Sequence, residues 1–414
     1  MSLVSGSRRA ALGPALAVFG PGLIVMLADT DVGSVITAGQ SGAQFGYRLL
    51  WQQLILIPIL FMVQEITVRL GVFTGKGHGE LIRLNFGKSW AWISVGGLAL
   101  ATLGALITEM SGVAGVGELY GISRVTSLSI AAICLLGVAL TGSYRRVERF
   151  AIALGLFEFA FLAVAWWSSP KLPLILRESI DVPWHDKDYI FLSVANIGAV
   201  IMPWMIFYQQ SAIADKKLRP EHFRAARIDT AIGAVVTQII MCAVLIACAA
   251  TIGSHGVRTE LNTVGDMSVA LTTFLGGTAG RLVFSVGILG SAMVAAVVSS
   301  LALAWGVGEV AGYRHSLEYK PGEAKWFYGL YAGCVVLAGA GVAYWPNLVS
   351  LNIDVQVVNA LLLPLVLGFL IALGVKALPP SRQLRGAYLY LVVGVSLAIS
   401  VFCAFGAVQP LGFF

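Results

Sequence analysis

The chain consists of long apolar runs separated by short polar segments that carry most of its charge. Eleven runs are long enough, with or without an interruption, to cross a hydrocarbon core of roughly 30 Å, which takes about 20 residues as a helix. The predicted spans are 15–45, 47–72, 90–118, 125–142, 151–169, 189–214, 225–252, 267–308 (one span with its approach), 327–345, 348–375 and 388–409. The pattern therefore predicts an all-α polytopic membrane protein.

Composition and charge support this prediction and give an orientation. Hydrophobic residues make up 58% of the 414 positions and charged residues only 12%, which is more apolar surface than a soluble core can bury. Most of the 27 Lys and Arg residues fall in alternate loops, as expected for cytoplasmic segments. The N-terminus is therefore predicted in the cytoplasm and the C-terminus outside. The net charge of +6 reflects topology, so no nucleic-acid partner is expected.

Two of the spans contain signals for a broken helix. The run from Ala15 to Ala28 has 14 residues, about 21 Å of helix, and then meets Asp29 and Asp31 near the middle of the membrane. An unwound turn is predicted at Val32-Gly-Ser34, with Gly33 supplying backbone freedom. Pro203 predicts a second break at Gly198 to Met202, because proline removes an amide donor from the helix.

The two breaks each begin a block of five spans. An odd block length forces the second copy to be inverted, so a 5+5 inverted repeat is predicted, with repeat one at about 15–169 and repeat two at about 189–375. The segment 388–409 lies outside the repeat, and residues 1–414 form one transmembrane transporter domain. Ordinary kinks at Gly33 and Pro203 are the alternative, but they leave the intramembrane acids unexplained. A carboxylate at this depth is usually functional, so Asp31 is predicted to bind a cation.

The segments around the breaks resemble a known family. GPGLIVMLADTDVGSVITAGQSGAQFGYRLLW, VQEITVRLGVFTGKGHGELIR and GAVIMPWMIFYQQSA resemble the first, second and sixth helices of the natural-resistance-associated macrophage protein (NRAMP) family of divalent-metal transporters. The resemblance implies the LeuT-type inverted-repeat fold. It also implies a set of metal ligands: Asp31, Ser34, the carbonyl of Ala199, the sulfur of Met202, and Gln356 on the tenth helix. Glu109 and Asn359 are expected to stand behind these ligands, with no role assigned to Asn359. Asp29 either binds the cation as a second acid, stands behind the ligands or lines the entry path.

The chain departs from the family at the positions implied in proton coupling. Two histidines of the sixth helix are replaced by Trp204 and Gln209, and one member of an acid pair on the third helix is replaced by Leu106. Neither Trp204 nor Gln209 takes up a proton near neutral pH. The five histidines all fall in predicted loops: His78, His185, His222, His255 and His315. Proton relays across membranes use chains of Asp, Glu or His, and most of that chain is missing.

Other intramembrane acids are assigned more conservative roles. Glu65 is expected to pair with Arg69, one turn away, at the inner end of its span. Glu109 is either a vestibule acid or a structural hydrogen-bonding group, and both readings stay open. Glu158 and Asp229 are expected to be structural or interfacial.

These observations favour uptake of Mg²⁺, and also of Mn²⁺, without proton coupling, as in the NRAMP-related magnesium transporters. Ser34 leaves room for water, which Mg²⁺ sheds reluctantly, whereas the thioether of Met202 favours transition metals and argues against this reading. The alternative is an ordinary proton-coupled Mn²⁺/Fe²⁺ symporter. An aspartyl protease or an organic-substrate carrier fits less well. No enzyme activity and no resident cofactor are expected, since the metal is cargo. The expected partners are divalent ions and the lipid bilayer, and the oligomeric state stays open.

Overall fold

In a computed structural model, residues 20–408 are described except for 142, 254–258, 274–275 and 346. Over these ranges the secondary structure is entirely helical. The helices are α1 (Pro21–Asp29), α2 (Val32–Phe45), α3 (Leu50–Thr74), α4 (His78–Phe86), α5 (Lys88–Leu119), α6 (Arg124–Ala139), α7 (Tyr144–Gly155), α8 (Ala160–Trp167), α9 (Leu172–Glu178), α10 (Lys187–Val200), α11 (Pro203–Asp215), α12 (Phe223–Thr251), α13 (Val264–Thr272), α14 (Gly277–Ala311), α15 (Lys325–Tyr344), α16 (Leu348–Lys376) and α17 (Gly386–Val408), with 3₁₀ turns at Leu156–Phe159 and Pro220–His222.

The helices long and apolar enough to span a membrane number nine within the described ranges, or ten when the bent pair α1 and α2 is one span. Helix α6 is also apolar but has only 16 residues. Two predicted spans differ from the structure. The approach to the eighth span is a separate helix, α13, and the fifth span begins at Tyr144 rather than at residue 151 and is interrupted by a 3₁₀ turn.

The first break lies earlier than predicted. Helices α1 and α2 meet at 47°, and the interruption consists of Thr30 and Asp31, whereas Gly33 is already helical. Asp31 Oδ1 accepts a hydrogen bond of 2.6 Å from the amide of Ser34. An aspartate that caps its own helix in this way lets the helix begin at the next residue, so the freedom of Gly33 is not needed for the turn.

The second break is shorter than predicted. Helix α10 continues through Val200, so Gly198 is helical, and only Ile201 and Met202 leave the helical conformation. Pro203 then occupies the first turn of α11. Its fixed φ suits the start of a helix, where the missing amide donor would have no partner anyway. The proline therefore begins the second half-helix instead of opening a wider loop.

Glycines allow the broken helices to pack closely against long ones. Helix α12 packs along α1, α2 and α3, and α10 packs along α16. A Cβ atom on Gly198 would lie 1.8 Å from the carbonyl oxygen of Gln356, and one on Gly233 would lie 2.6 Å from Met26 Cγ. The hydrophobic effect does not drive helices together inside lipid. Small residues at such crossings instead let the helices approach closely enough to associate by van der Waals packing.

Polar side chains fix the ends of the spans. Asp229 Oδ2 accepts hydrogen bonds from the amides of Gly20 and Gly22, at 3.2 and 2.9 Å, and so caps the N-terminus of α1. Arg69 Nη2 lies 2.7 Å from Glu65 Oε1. The ion pair predicted for Glu65 and the structural role predicted for Asp229 are confirmed.

Candidate metal-binding site

The two helix breaks face each other across the interior of the protein. Ser34, in the first turn of α2, donates its hydroxyl proton to the carbonyl oxygen of Ala199 on α10, at 2.9 Å. This bond joins segments that are 165 residues apart. Asp31 and Ala199 are 0% and 2% exposed, so the carboxylate and the carbonyl are both shut away from solvent.

Helix α16 closes the third side of this site through Gln356. The position of a Cβ atom on Gly33 would lie 2.0 Å from Gln356 Nε2 and 3.5 Å from Asp31 Oδ1, so the amide and the carboxylate flank the same glycine. Gln356 is fully buried. Asp31 Oδ2 and Gln356 Nε2 are both without a hydrogen-bond partner. Asp31, Ser34, Ala199 and Gln356 therefore come together as the resemblance implies.

Met202 lies at the same pair of breaks. It is fully buried and is the residue that precedes the first turn of α11, three positions after Ala199. The described contacts join Asp31, Ser34, Ala199 and Gln356 to one another, whereas Met202 is placed near them by its position in the chain. Its role as a sulfur ligand stays a prediction.

Glu109 stands behind Asp31. Its Oε2 accepts a hydrogen bond of 3.2 Å from the amide of Val32, and its Oε1 accepts one of 3.1 Å from Thr108 Oγ1. The carboxyl group also lies within hydrogen-bonding reach of Asp31. Two carboxyl groups this close repel each other unless a proton or a cation lies between them. The structure thus places Glu109 at the N-terminus of α2, where it accepts a hydrogen bond from the backbone and lies beside Asp31.

A second buried acid lies beside Asp29 and was not singled out as a site residue by the sequence. Asp29 Oδ2 is 3.5 Å from Thr237 Oγ1, which is in turn 2.8 Å from Thr30 Oγ1. Glu158 is fully buried in the 3₁₀ turn of the fifth span and interacts electrostatically with Asp29. Its two oxygens have no hydrogen-bond partner. Of the two roles expected for Glu158, structural or interfacial, its full burial fits the structural one. Its place within the apolar run LGLFEFAFLAVAWW was the available signal for burial.

The positions implied in proton coupling hold buried groups. Trp204 and Leu106 are fully buried, and the indole Nε1 of Trp204 has no partner. Gln209 Nε2 donates to Thr230 Oγ1 at 2.7 Å, which ties the half-helix α11 to α12. His78, His185 and His315 lie outside the candidate spans, whereas His222 lies in the 3₁₀ turn at the start of the candidate span Pro220–Thr251. The prediction that all histidines lie in loops is therefore wrong for His222 and for His78, which is the first residue of α4. His255 falls outside the described residues.

Both sides of the site are closed by contacts that the sequence did not reveal. On one side, Glu309 on α14 accepts hydrogen bonds from the Gly79 amide at 2.8 Å and from Ser211 Oγ at 2.5 Å. His78 Nδ1 lies 2.9 Å from Gln210 Oε1. On the opposite side, Gln40 Oε1 accepts from the amide of Leu261 at 3.0 Å. Because Asp31, Ser34 and Gln356 are all at most 2% exposed, the site is occluded.

The donor set has few charges. Over the described ranges, no group of three or more His, Cys, Asp or Glu side chains is arranged to hold a metal ion. A cation between the breaks would be held by the Asp31 carboxylate together with neutral oxygens, namely the Ala199 carbonyl, the Ser34 hydroxyl, an amide and water. Such a set suits a cation that is bound and then released, because loosely held water and neutral ligands can be exchanged.

Helices that break opposite each other around a buried ligand set define a class of protein, the membrane transporters with discontinuous helices. The fold agrees with solved transporters of this class. A histidine-to-alanine variant of the manganese transporter of Eremococcus coleocola superposes with a TM-score of 0.79 at 18% identity, covering 100% of this chain and 91% of that one. The structure of MhsT in complex with L-phenylalanine gives 0.62 at 14% identity, covering 97% and 98%.

The sequence comparisons identify the family. Residues 22–408 match the profile described as natural resistance-associated macrophage protein-like. The divalent metal cation transporter MntH of Aeromonas hydrophila is 28% identical over 298 residues, which is 69% of this chain and 72% of that protein. The chain belongs to the natural resistance-associated macrophage protein-like family. It is a multi-pass membrane transporter and not an enzyme.

Proposed function

We propose that this protein carries divalent cations across the cell membrane, Mg²⁺ first and Mn²⁺ as a second cargo, by alternating access and without a coupled proton. The chain would cross the membrane eleven times, with the short helix α6 as the fourth span. The two breaks would begin the inverted repeats 15–169 and 189–375. The N-terminus would be cytoplasmic and the C-terminus outside. Because the inside of the cell is electrically negative, the membrane potential would drive a doubly positive solute inward.

The observation that carries this proposal is the junction of the two breaks. Three buried oxygen groups lie there: Asp31 Oδ2, which has no hydrogen-bond partner, the Ser34 hydroxyl and the Ala199 carbonyl. These are hard oxygen donors with one full negative charge. Mg²⁺ prefers such donors, binds through one or two carboxylates and keeps several waters. The relative named as a divalent metal cation transporter supports a divalent cargo.

The absence of proton coupling is inferred from the side chains at three positions. Trp204 is a donor only, Gln209 does not titrate, and Leu106 is apolar. Because Gln209 is held by Thr230, it has a structural contact in place of a relay function. Proton relays need titratable chains, and Glu109 is the remaining acid beside Asp31.

Flux in sealed vesicles tests the proposal. Purified protein in liposomes with an interior-negative potential is expected to take up Mg²⁺ and Mn²⁺ with saturable kinetics, while an entrapped pH dye shows no metal-driven acidification. Asp31→Ala is expected to abolish saturable uptake. The matched control is Asp354→Ala, which removes an exposed carboxylate from α16 and is expected to leave uptake intact. Saturable uptake by Asp31→Ala would refute the site, and failure to carry Mg²⁺ would refute the cargo.

A proton-coupled Mn²⁺ or Fe²⁺ symporter is the second candidate. Two observations favour it, the buried Met202 at the break and the contact between Glu109 and Asp31. It predicts acidification of the lumen with metal uptake. It also predicts that Met202→Ala impairs Mn²⁺ and Cd²⁺ more than Mg²⁺, because soft sulfur favours the transition metals. Equal effects on the three ions would mean that the sulfur is not a ligand.

A further inference from the structure

The ligand candidate Gln356 is paired with a second buried amide. Asn359 lies one helical turn further along α16, is fully buried, and donates from Nδ2 to Gln356 Oε1 at 2.9 Å. Each amide has one atom without a partner, Nε2 in Gln356 and Oδ1 in Asn359. The two unsatisfied atoms are a donor and an acceptor, and they belong to the same pair.

The amide of Gln356 faces the site with its nitrogen. A Cβ atom on Gly33 would lie 2.0 Å from Gln356 Nε2 and 3.5 Å from Asp31 Oδ1, so Nε2 is the end of the amide on the side of Asp31, while Oε1 accepts from Asn359. An amide nitrogen carries two hydrogens and has no lone pair to give, so it cannot ligate a cation. In this orientation Gln356 suits a carboxylate neighbour, and it becomes a metal ligand only when its amide turns by half a rotation.

That rotation requires a matching change in Asn359. If Gln356 turned alone, its Nε2 would face Asn359 Nδ2, and two donors would point at each other in a buried place. If both amides turn, Gln356 Nε2 donates to Asn359 Oδ1, and Gln356 Oε1 points toward Asp31. Donor and acceptor simply exchange sides, so the hydrogen bond within the pair is kept. If the pair lost this hydrogen bond, a buried polar group would be left without a partner, which is energetically unfavourable.

We propose that Asn359 is a positioning residue for cation binding, because it forms a reversible amide pair with Gln356. In one orientation of the pair the Gln356 nitrogen is on the side of Asp31, and in the other the Gln356 side-chain oxygen faces the transported cation. This inference rests on the proposed function, because it assumes a cation beside Asp31. Asn359 itself does not contact the cation. Its hydrogen bond sets whether the oxygen or the nitrogen of the Gln356 amide faces the cation.

The experiment measures Mn²⁺ binding by calorimetry and Mn²⁺ uptake in liposomes for Asn359→Leu, Asn359→Asp and Gln356→Leu. Asn359→Leu removes the acceptor, so affinity is expected to fall and KM to rise by about 10-fold or more, the usual loss when a ligand's hydrogen-bond partner is removed. The maximal rate is expected to stay close to wild type. Asn359→Asp keeps an acceptor for Gln356 Nε2 and is expected to retain affinity.

A double-mutant cycle separates this role from a general packing role. When Gln356 is already leucine, adding Asn359→Leu or Asn359→Asp is expected to change affinity no further, because Asn359 acts only through Gln356. The control is Asn352→Leu on the same helix, whose amide donates to Ser111 Oγ at 2.7 Å and not to Gln356, and affinity is expected to stay unchanged. If Asn359→Leu does not fold, Asn359→Ser takes its place.

The outcomes are distinguishable from those of the proposed function. Wild-type binding that is lost in Asp31→Ala supports the site, whatever Asn359 does. The amide pair is overturned if Asn359→Leu binds Mn²⁺ like wild type, if its effect is undiminished when Gln356 is leucine, or if Asn359→Asp is as impaired as Asn359→Leu. A wild-type protein that binds neither Mn²⁺ nor Mg²⁺ overturns both inferences together; if it binds Mg²⁺ alone, the same variants are compared with Mg²⁺.

Discussion

Two glycines that face the same glutamine are expected to differ in how much stability they lose when changed to alanine. A Cβ atom on Gly198 would lie 1.8 Å from the carbonyl oxygen of Gln356 and 2.8 Å from the amide nitrogen of Ala360. Both obstacles are backbone atoms of α16. Ordinary contact begins at 3.4 Å, so α10 and α16 would have to separate by 1.6 Å, the difference between 3.4 and 1.8 Å.

The cost of Gly198→Ala follows from this separation. Overpacking costs about 1–3 kcal/mol, and a rigid backbone obstacle belongs near the top of that range. Alanine regains up to about 1 kcal/mol because it is a better helix former than glycine. The free energy of unfolding is therefore expected to fall by about 2 kcal/mol.

Gly33→Ala meets a different obstacle. Its Cβ atom would lie 2.0 Å from Gln356 Nε2, the far end of a flexible side chain that can swing away. Stability is expected to fall by only about 1 kcal/mol, the cost of disturbing the buried hydrogen bond between Gln356 and Asn359. The displaced amide, however, no longer lies beside Asp31, so cation affinity is expected to fall about 10-fold.

Thermal unfolding in detergent, followed by tryptophan fluorescence, and Mn²⁺ binding by calorimetry separate the two effects. The control is Gly368→Ala on α16, where the added Cβ meets nothing within 4 Å and neither quantity is expected to fall. A Gly198→Ala protein as stable as Gly368→Ala would refute the close packing of α10 and α16. A Gly33→Ala protein with wild-type affinity would refute the placement of the Gln356 amide beside Asp31.

Three further predictions concern buried polar groups away from the proposed ligands. Burial lowers the pKa of His78 to about 4, since its Nε2 has no partner and a charge there would be uncompensated. Its usual pKa is about 6.5, so the stability it contributes is present above pH 6.5 and is lost as pH falls toward 4, by up to about 3 kcal/mol. His78→Gln is expected to flatten the melting temperature between pH 7.5 and 4.5, and the same change at exposed His185 to leave the profile unaltered. Glu158→Gln removes a buried carboxyl without a partner, so it is expected to leave the melting temperature unchanged or to raise it; a marked loss of stability would show that the carboxyl group is itself paired or bound. Asp229→Ala removes the cap of α1 and is expected to lower the free energy of unfolding by about 1–2 kcal/mol, and an unchanged melting temperature would contradict that role.

The sequence predicted the features that follow from local chemistry. Apolar runs identified the spans, and Pro203 and the acids after Ala28 identified the two breaks. The positions of the breaks were less accurate, because capping decides them. Asp31 caps α2 and starts the helix at Val32, so the predicted unwound turn at Gly33 does not form.

Contacts between distant segments were beyond prediction. Gly33 lets the side chain of Gln356, more than 300 residues away in the sequence, approach α2 closely, and its own backbone angles do not require a glycine. Glu309 accepts a hydrogen bond from the amide of Gly79, a partner that no local pattern indicates. Glu158 stood out as a lone acid in an apolar run, but its neighbour Asp29 is assigned only by the packing of the fifth span against α1.

The packing of α16 also links cation binding to the shape of the protein. The site draws Asp31 from α2, Ala199 from α10 and Gln356 from α16, and the last two helices touch at Gly198. A cation shared by these groups attracts α16 to the broken helices, so it favours the occluded arrangement over any in which they part. A ligand shifts a conformational equilibrium only by its difference in affinity for the two states. Gly198→Ala, which separates α10 from α16, is therefore expected to weaken cation binding although it alters no group that touches the cation.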